Sequence, residues 1–331
     1  MLQRISTPVQ AKAWQKSLAR AVKSRSQLLA LLGIEERPAE TAHSPFALRV
    51  PHSYIRRMKK GDPDDPLLRQ VLPLEEELRA HPGFTPDPVG DGDATCQSGL
   101  LQKYHGRVLI VTTAACPIHC RYCFRRHFPY DQHQGIHKDW QATVSAIAAE
   151  PSIGEVILSG GDPLSLSDET LADLVSRLDT LPHLKRLRIH SRYPVVLPER
   201  IDETLLGWLG ATRLKTTLVI HCNHAQEIDG EVREALGRLR ETGVTLLNQA
   251  VLLKGVNDDE AALIDLSEAL FDAGVLPYYL HMLDRVAGAA HFEVSDEKAR
   301  ALMEQLRRRL PGYLVPRLVR EITGEAYKRP L

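Results

Sequence analysis

The chain has 331 residues, of which 43% are hydrophobic and 25% charged, proportions that exclude a disordered or fibrous chain. Forty-two Lys and Arg balance forty-two Asp and Glu, so no basic field for nucleic acid or anionic membrane is expected. No apolar run approaches the roughly 20 residues of a membrane span, and residues 1–15 lack the apolar core of a signal peptide; the expected location is the cytoplasm, where disulfides are rare.

In chain order, residues 1–45 read as helical through Leu18, Val22, Leu28, Leu29 and Leu32. Residues 46–105 are rich in Pro, Gly and Asp, so 1–105 reads as a helical and irregular N-terminal wrap without an independent core. From 106 the rhythm changes to short β-branched apolar runs separated by amphipathic stretches. Strands are predicted at 108–112, 155–159, 186–190, 217–221, 245–252 and 278–282, with helices at 139–150, 168–180, 199–209, 229–242 and 258–273. Repeated βα units of this length give parallel strands with helical crossovers. Six are too few for a closed eight-fold barrel. The expected fold is therefore α/β, a partial open (β/α)6 barrel over 106–290, followed by a short C-terminal segment over 291–331. Functional groups belong at the C-terminal ends of such strands. The unusual residues fall there: a cysteine loop, SGGDPL, HSR, HCNH and YYLHMLD.

The cysteine loop is the most informative stretch. Cys116, Cys120 and Cys123 form a CxxxCxxC run directly after the first expected barrel strand. Thiolates suit iron–sulfur clusters. Three of them serve three irons of a [4Fe–4S] cube and leave the fourth open to a chelating molecule. Zinc is the competing reading, with His119 and His127 close enough to complete a four-ligand set. Arg121, Arg125, Arg126 and His127 make the loop basic, which favours thiolate and suits an anionic group nearby. Cys96 and Cys222 are isolated and read as small buried hydrophobes.

The cysteine run, with an aromatic residue just before its last cysteine, resembles the radical S-adenosylmethionine superfamily. That resemblance implies that S-adenosylmethionine chelates the open iron and is cleaved to a 5′-deoxyadenosyl radical. Ser159-Gly160-Gly161-Asp162-Pro163 resembles the superfamily's glycine motif at the end of the second strand. Glycine there lets the backbone approach the methionine amino group.

A narrower resemblance rests on YHGR at 104–107, CFRR at 123–126, LNQAVLLKGVND at 247–258 and LPYYLH at 276–281. These are similar to lysine 2,3-aminomutases over nearly the whole chain. FALRVPHSYIRRMKKGDPDDPLLRQVL at 46–72 looks closest to the branch that makes (R)-β-lysine for modification of elongation factor P. The resemblance implies conversion of free L-lysine, with pyridoxal phosphate as a second cofactor and an external one-electron reductant. The product would pass to an elongation factor P lysyl-ligase.

Residue roles follow from the same resemblance. Lys328, seven residues after Glu321, matches the lysine that forms the pyridoxal phosphate Schiff base, although the family's glycine run is largely replaced. Lys215 and Lys254 have weaker positional support. Tyr104, Arg107, Asn248 and Gln249 match positions near pyridoxal phosphate. Gly160, Gly161, Asp162 and His221 are assigned to S-adenosylmethionine, with His190, Ser191 and Arg192 ranked below them. Arg125 matches the arginine for the substrate carboxylate, and Asp284 and Glu321 the acids for its distal ammonium. Glutamate stands where the family has aspartate, a reach longer by about 1.5 Å.

The family's C-terminal cysteines have no counterpart here, so no structural zinc is expected, and a homo-oligomer is left open because that zinc region helps build the family's tetramer. An aminomutase for another amino acid and a non-catalytic iron–sulfur protein are the alternatives.

Overall fold

The computed structural model describes residues 12–36, 46–97, 99–130 and 140–331. The ends of the expected 1–45 helical region, the first residue of the expected 139–150 helix and the side chain of Cys96 lie outside the described residues.

Among the described residues, ten strands follow one another across a single sheet, in chain order. They are β1 (Thr95–Gln97), β2 (Leu100–Leu101), β3 (Arg107–Thr113), β4 (Glu155–Gly160), β5 (Arg186–Ser191), β6 (Lys215–Ile220), β7 (Thr245–Val251), β8 (Leu276–His281), β9 (Arg317–Arg320) and β10 (Arg329–Pro330). Strands β3 to β9 are parallel, and antiparallel β1–β2 and β10 extend the two edges. The six expected strands are β3 to β8. The parallel sheet does not stop with them: β9 adds a seventh strand from the 291–331 segment. Among the described residues the two ends do not pair, so the barrel is open.

Each crossover helix of the middle units begins on a short polar side chain that satisfies a free backbone N–H. Ser167, Asp202, Asp229 and Asp259 cap the helices Asp168–Asp179, Glu203–Ala211, Gly230–Glu241 and Glu260–Asp272. The expected helix at 199–209 therefore starts later, because Pro198–Arg200 forms a 3₁₀ turn ahead of the Asp202 cap. The helices bury stripes such as Leu171, Leu174, Val175 and Leu178 against the sheet. Among the described residues no helix is long and apolar enough to cross a membrane.

The N-terminal residues share the barrel's hydrophobic core. Trp14, Leu28, Tyr54 and Leu67 belong to the same buried cluster as Val156, Leu218 and Leu318. Trp14 packs edge-on against Tyr193 and lies under the Arg200 guanidinium, which is itself paired with buried Asp168 at 2.9 Å. These contacts brace the side of the barrel from which the cysteine loop emerges.

Candidate active site

A cavity of about 490 Å³ opens inside the sheet. Strand alternation decides which side chains reach it, because successive residues point to opposite faces. On β7, Leu246, Asn248 and Ala250 are buried on the helix side, while Gln249 and Val251 face the cavity. The expectation that Asn248 joins Gln249 beside a cofactor is therefore corrected. The Asn248 amide instead clamps the strand-end backbone, accepting from Cys222 N at 2.9 Å and donating to Cys222 O at 3.0 Å. Cys222 is buried, as its isolation suggested.

All three loop cysteines line the cavity as free thiols. The N-terminal residues hold the loop in place. Arg49 donates to Cys116 O at 3.0 Å, His119 N to Arg49 O, and Arg121 N to Gln70 O. The basic residues of the loop are mostly spent on this support. Arg121 and Arg126 both bind buried Glu77. His119 meets the Ala47 carbonyl at 2.8 Å and stacks on Phe46, and His127 meets the Ala287 carbonyl at 3.1 Å. Neither of the histidines that a zinc site would recruit lines the cavity with the three thiols. Arg125 is the loop arginine that reaches the cavity.

The glycine loop docks on the start of the cysteine loop. Gly161 N donates to Thr113 O at 2.7 Å and Asp162 N to Ala115 O at 2.8 Å. A Cβ on Gly161 would lie 2.5 Å from Ala115 O and 2.8 Å from Ala114 C, both unyielding backbone atoms. Gly160 has φ +114°, a region that L side chains rarely adopt. The glycines are thus required by close packing of the two loops as well as by exposure to the cavity. Gly161→Ala should cost about 1–3 kcal/mol, as overpacking does, and lower the iron content of reconstituted protein; calorimetry and iron analysis check this. Asp162 also lines the cavity, but its carboxylate is occupied by Ser191 Oγ at 2.8 Å, Arg192 N at 2.7 Å and Leu164 N at 3.1 Å. Burial pushes its carboxyl up to about 6 despite those donors.

A chain of alternating charges crosses one wall. Arg125 Nε binds Asp91 Oδ2 at 2.7 Å, and its Nη1 donates to Ser159 Oγ at 3.1 Å. Lys103 Nζ binds Asp91 Oδ1 at 2.7 Å and Glu321 Oε1 at 3.3 Å. Glu321 in turn binds Lys328. Asp91 and Lys103 were not expected from the sequence; a buried acid among Asp-rich loop residues carries no periodic signal.

Lys328 is not on a loose tail, because the next two residues form β10 against β9, with Arg329 opposite Arg320. Lys215 and Lys254 are exposed and lie outside this cavity.

Tyr104 and Arg107 sit below, with the guanidinium 5.1 Å from the ring centre. Burial, and then the Glu321 carboxylate, push the Tyr104 phenol up. Asp284 lines the same space; burial pushes its carboxyl up to about 7, opposed by Lys328 and reinforced by Glu321. His190, His221 and His281 complete the wall. Burial, followed by Arg192 and Arg125, pushes His221 down to about 4. Burial also holds His190 and His281 well below the usual range, so all three are neutral at pH 7.

A parallel sheet of this order, with a three-cysteine loop and a glycine loop at adjoining strand ends, defines a radical S-adenosylmethionine protein. The family model described as "Radical SAM superfamily" matches residues 110–208. Curated relatives narrow the class. The chain is 51% identical over 322 residues to an L-lysine 2,3-aminomutase of Escherichia coli (strain K12), covering 96% of the chain and 94% of the relative. It is 46% identical to that of Haemophilus influenzae, covering 95% and 94%, and 32% identical to that of Clostridium subterminale, covering 96% and 77%. The chain belongs to the lysine 2,3-aminomutase family. Enzymes of this family work with a [4Fe–4S] cluster, S-adenosylmethionine and pyridoxal phosphate.

The residues present fit those groups. Three free thiols on one wall match three cluster ligands. Burial pushes Cys116 well up and Cys123 up to about 11, so a bound metal would be what makes thiolates of them. Among the described residues the buried Nε2 atoms of His190 and His281 have no partner, and both side chains line the cavity, as a polar ligand requires. An amine, a tyrosine and several guanidinium groups answer the aldehyde and phosphate of pyridoxal phosphate.

Proposed function

We propose that this cavity moves the 2-amino group of free L-lysine to C3, yielding (R)-β-lysine. The observation that carries the reading is the presence, in one cavity, of the three thiols and of Lys328 with its amine on Glu321. When bound, S-adenosylmethionine on the reduced cluster supplies a carbon radical, and pyridoxal phosphate supplies a π-system for the migrating nitrogen.

The protein's own residues bind and orient. Cys116, Cys120 and Cys123 hold the cluster, and Gly160, Gly161 and His221 flank S-adenosylmethionine. Lys328 holds pyridoxal phosphate through its amine, with Tyr104, Arg107 and Gln249 around it. Glu321 and Asp284 would receive the distal ammonium of lysine, while Arg125, shared with Asp91, would receive the carboxylate. Two acids at the far end favour a cationic substrate. The stretch at 46–72 supports assignment of the product to a ligase acting on elongation factor P. An external one-electron reductant and a cytoplasmic setting complete the reading.

Anaerobic incubation with lysine, S-adenosylmethionine, pyridoxal phosphate and dithionite should yield (R)-β-lysine, read by chiral chromatography; absence of product overturns the reading. The same assay tests Asp284. Its carboxyl sits near 7, so the carboxylate fraction falls as pH drops below that value. The lysine KM of the wild type should rise on that side, and that of Asp284→Asn should not. At pH 8 Asp284→Asn should raise KM roughly 10- to 100-fold, from about 1.5–3 kcal/mol for a hydrogen bond to a charged group.

A further inference from the structure

Behind the cysteine loop lies a buried polar network outside the substrate-binding residues. Its centre is Arg192, 6% exposed, at the end of β5. Arg192 Nη1 lies 2.7 Å from Cys120 Sγ. Its other terminal nitrogen, Nη2, reaches Gln70 Oε1 at 2.7 Å, Glu227 Oε2 at 3.0 Å and the Tyr54 hydroxyl at 3.2 Å.

Those partners are themselves fixed. Glu227, fully buried, accepts through Oε1 from Asn223 N at 2.9 Å, Gln70 Nε2 at 3.1 Å and His224 N at 3.2 Å. Asn223 Nδ2 donates to the Tyr122 hydroxyl at 2.7 Å, and Tyr122 immediately precedes Cys123. The guanidinium therefore has little freedom. Its cation touches the sulfur, and its counter-ion lies beyond it on the opposite nitrogen.

We propose that Arg192 is a positioning residue for the iron–sulfur cluster, clamped by Glu227 and Gln70 so that it donates to the Cys120 sulfur and raises the cluster's reduction potential. A donor to a ligand sulfur draws charge off it, and hydrogen bonds to sulfur are among the factors that set cluster potentials. Reduction adds a negative charge close to the fixed guanidinium. In a buried setting that attraction is only weakly screened. Glu227 moderates the effect from the far side. The arrangement is a dipole with its positive end at the sulfur, held by residues from the N-terminal region, β5 and the loop after β6. The inference rests on the reading of Cys116, Cys120 and Cys123 as cluster ligands.

The test is the midpoint potential of the reconstituted cluster in the full-length protein, measured by redox titration with electron paramagnetic resonance, alongside iron and sulfide content. Arg192→Gln should retain the cluster and shift the potential down by a factor of about ten in the reduction equilibrium, about 59 mV for one electron. Glu227→Gln removes the counter-ion and should shift the potential up. A merely structural role would not move the two variants in opposite directions. A full cluster at wild-type potential in Arg192→Gln overturns the proposal, as do shifts of the same sign in both variants. If Arg192→Gln assembles no cluster, Glu227→Gln decides: an upward shift supports the proposal, and no shift or a downward one overturns it. A wild-type protein that takes up no iron instead defeats the underlying ligand assignment.

Discussion

Lys328→Arg is expected to lose β-lysine formation by roughly three orders of magnitude or more, the scale on which deletion of a covalent-catalysis group acts. Cluster content should stay at the wild-type level. The argument is geometric and electrostatic. Lys328 sits in the cavity at the point where β10 fastens the chain to β9, so its backbone is fixed independently of the amine. Arginine keeps a cation for Glu321 but cannot attack an aldehyde at neutral pH. Lys328→Ala should fall as far, while Glu321 retains Lys103 as a counter-ion at 3.3 Å. Borohydride reduction of the loaded enzyme, followed by peptide mass analysis, locates the bond. Label on Lys103, the other lysine that lines this cavity among the described residues, would sink the assignment, as would substantial turnover by Lys328→Arg.

Cys120→Ala should abolish formation of 5′-deoxyadenosine and lower iron and sulfide together. With Cys120 as a cluster ligand, removing it would leave an iron without its protein ligand, and it also leaves Arg192 Nη1 facing empty space where it met sulfur at 2.7 Å. Cys222→Ala is the matched control. Cys222 is buried beside the β6–β7 clamp, with its Sγ 3.4 Å from the His224 carbonyl. That substitution should keep the cluster at the expense of a small packing loss of about 1 kcal/mol. A Cys120→Ala protein that still cleaves S-adenosylmethionine would remove the loop from the chemistry.

Much of the scaffold was legible beforehand because its signals are local. β-branched runs followed by amphipathic helices with Ser and Asp caps are set by neighbours in sequence, and β3 to β8 appear within a few residues of expectation. Strand β9 was missed because four residues, Arg317–Arg320, are too few for alternation to register. Strand β10 is shorter still, and it exists only because β9 offers an edge. Asn248 was misread although the signal was there: it adjoins Gln249 on a strand, and a period of two sends only one of them inward.

The available chemistry is written in short stretches of the chain: three cysteines at cluster spacing, glycines two strands into a βα series, and a lysine seven residues after an acid. Those are properties of short segments, and short segments carry their own signature. How charge is distributed around them depends on the folded chain. Glu77 withdraws Arg121 and Arg126 from the cavity, while Asp91 and Lys103 link Arg125 to Glu321. Arg192 reaches Cys120 across 72 positions of chain. Each of these is a contact between distant residues, and a buried charge declares its partner only when folding removes the water that would otherwise screen it. The cysteine loop is thus specified locally, and its electrostatic setting is specified by the fold.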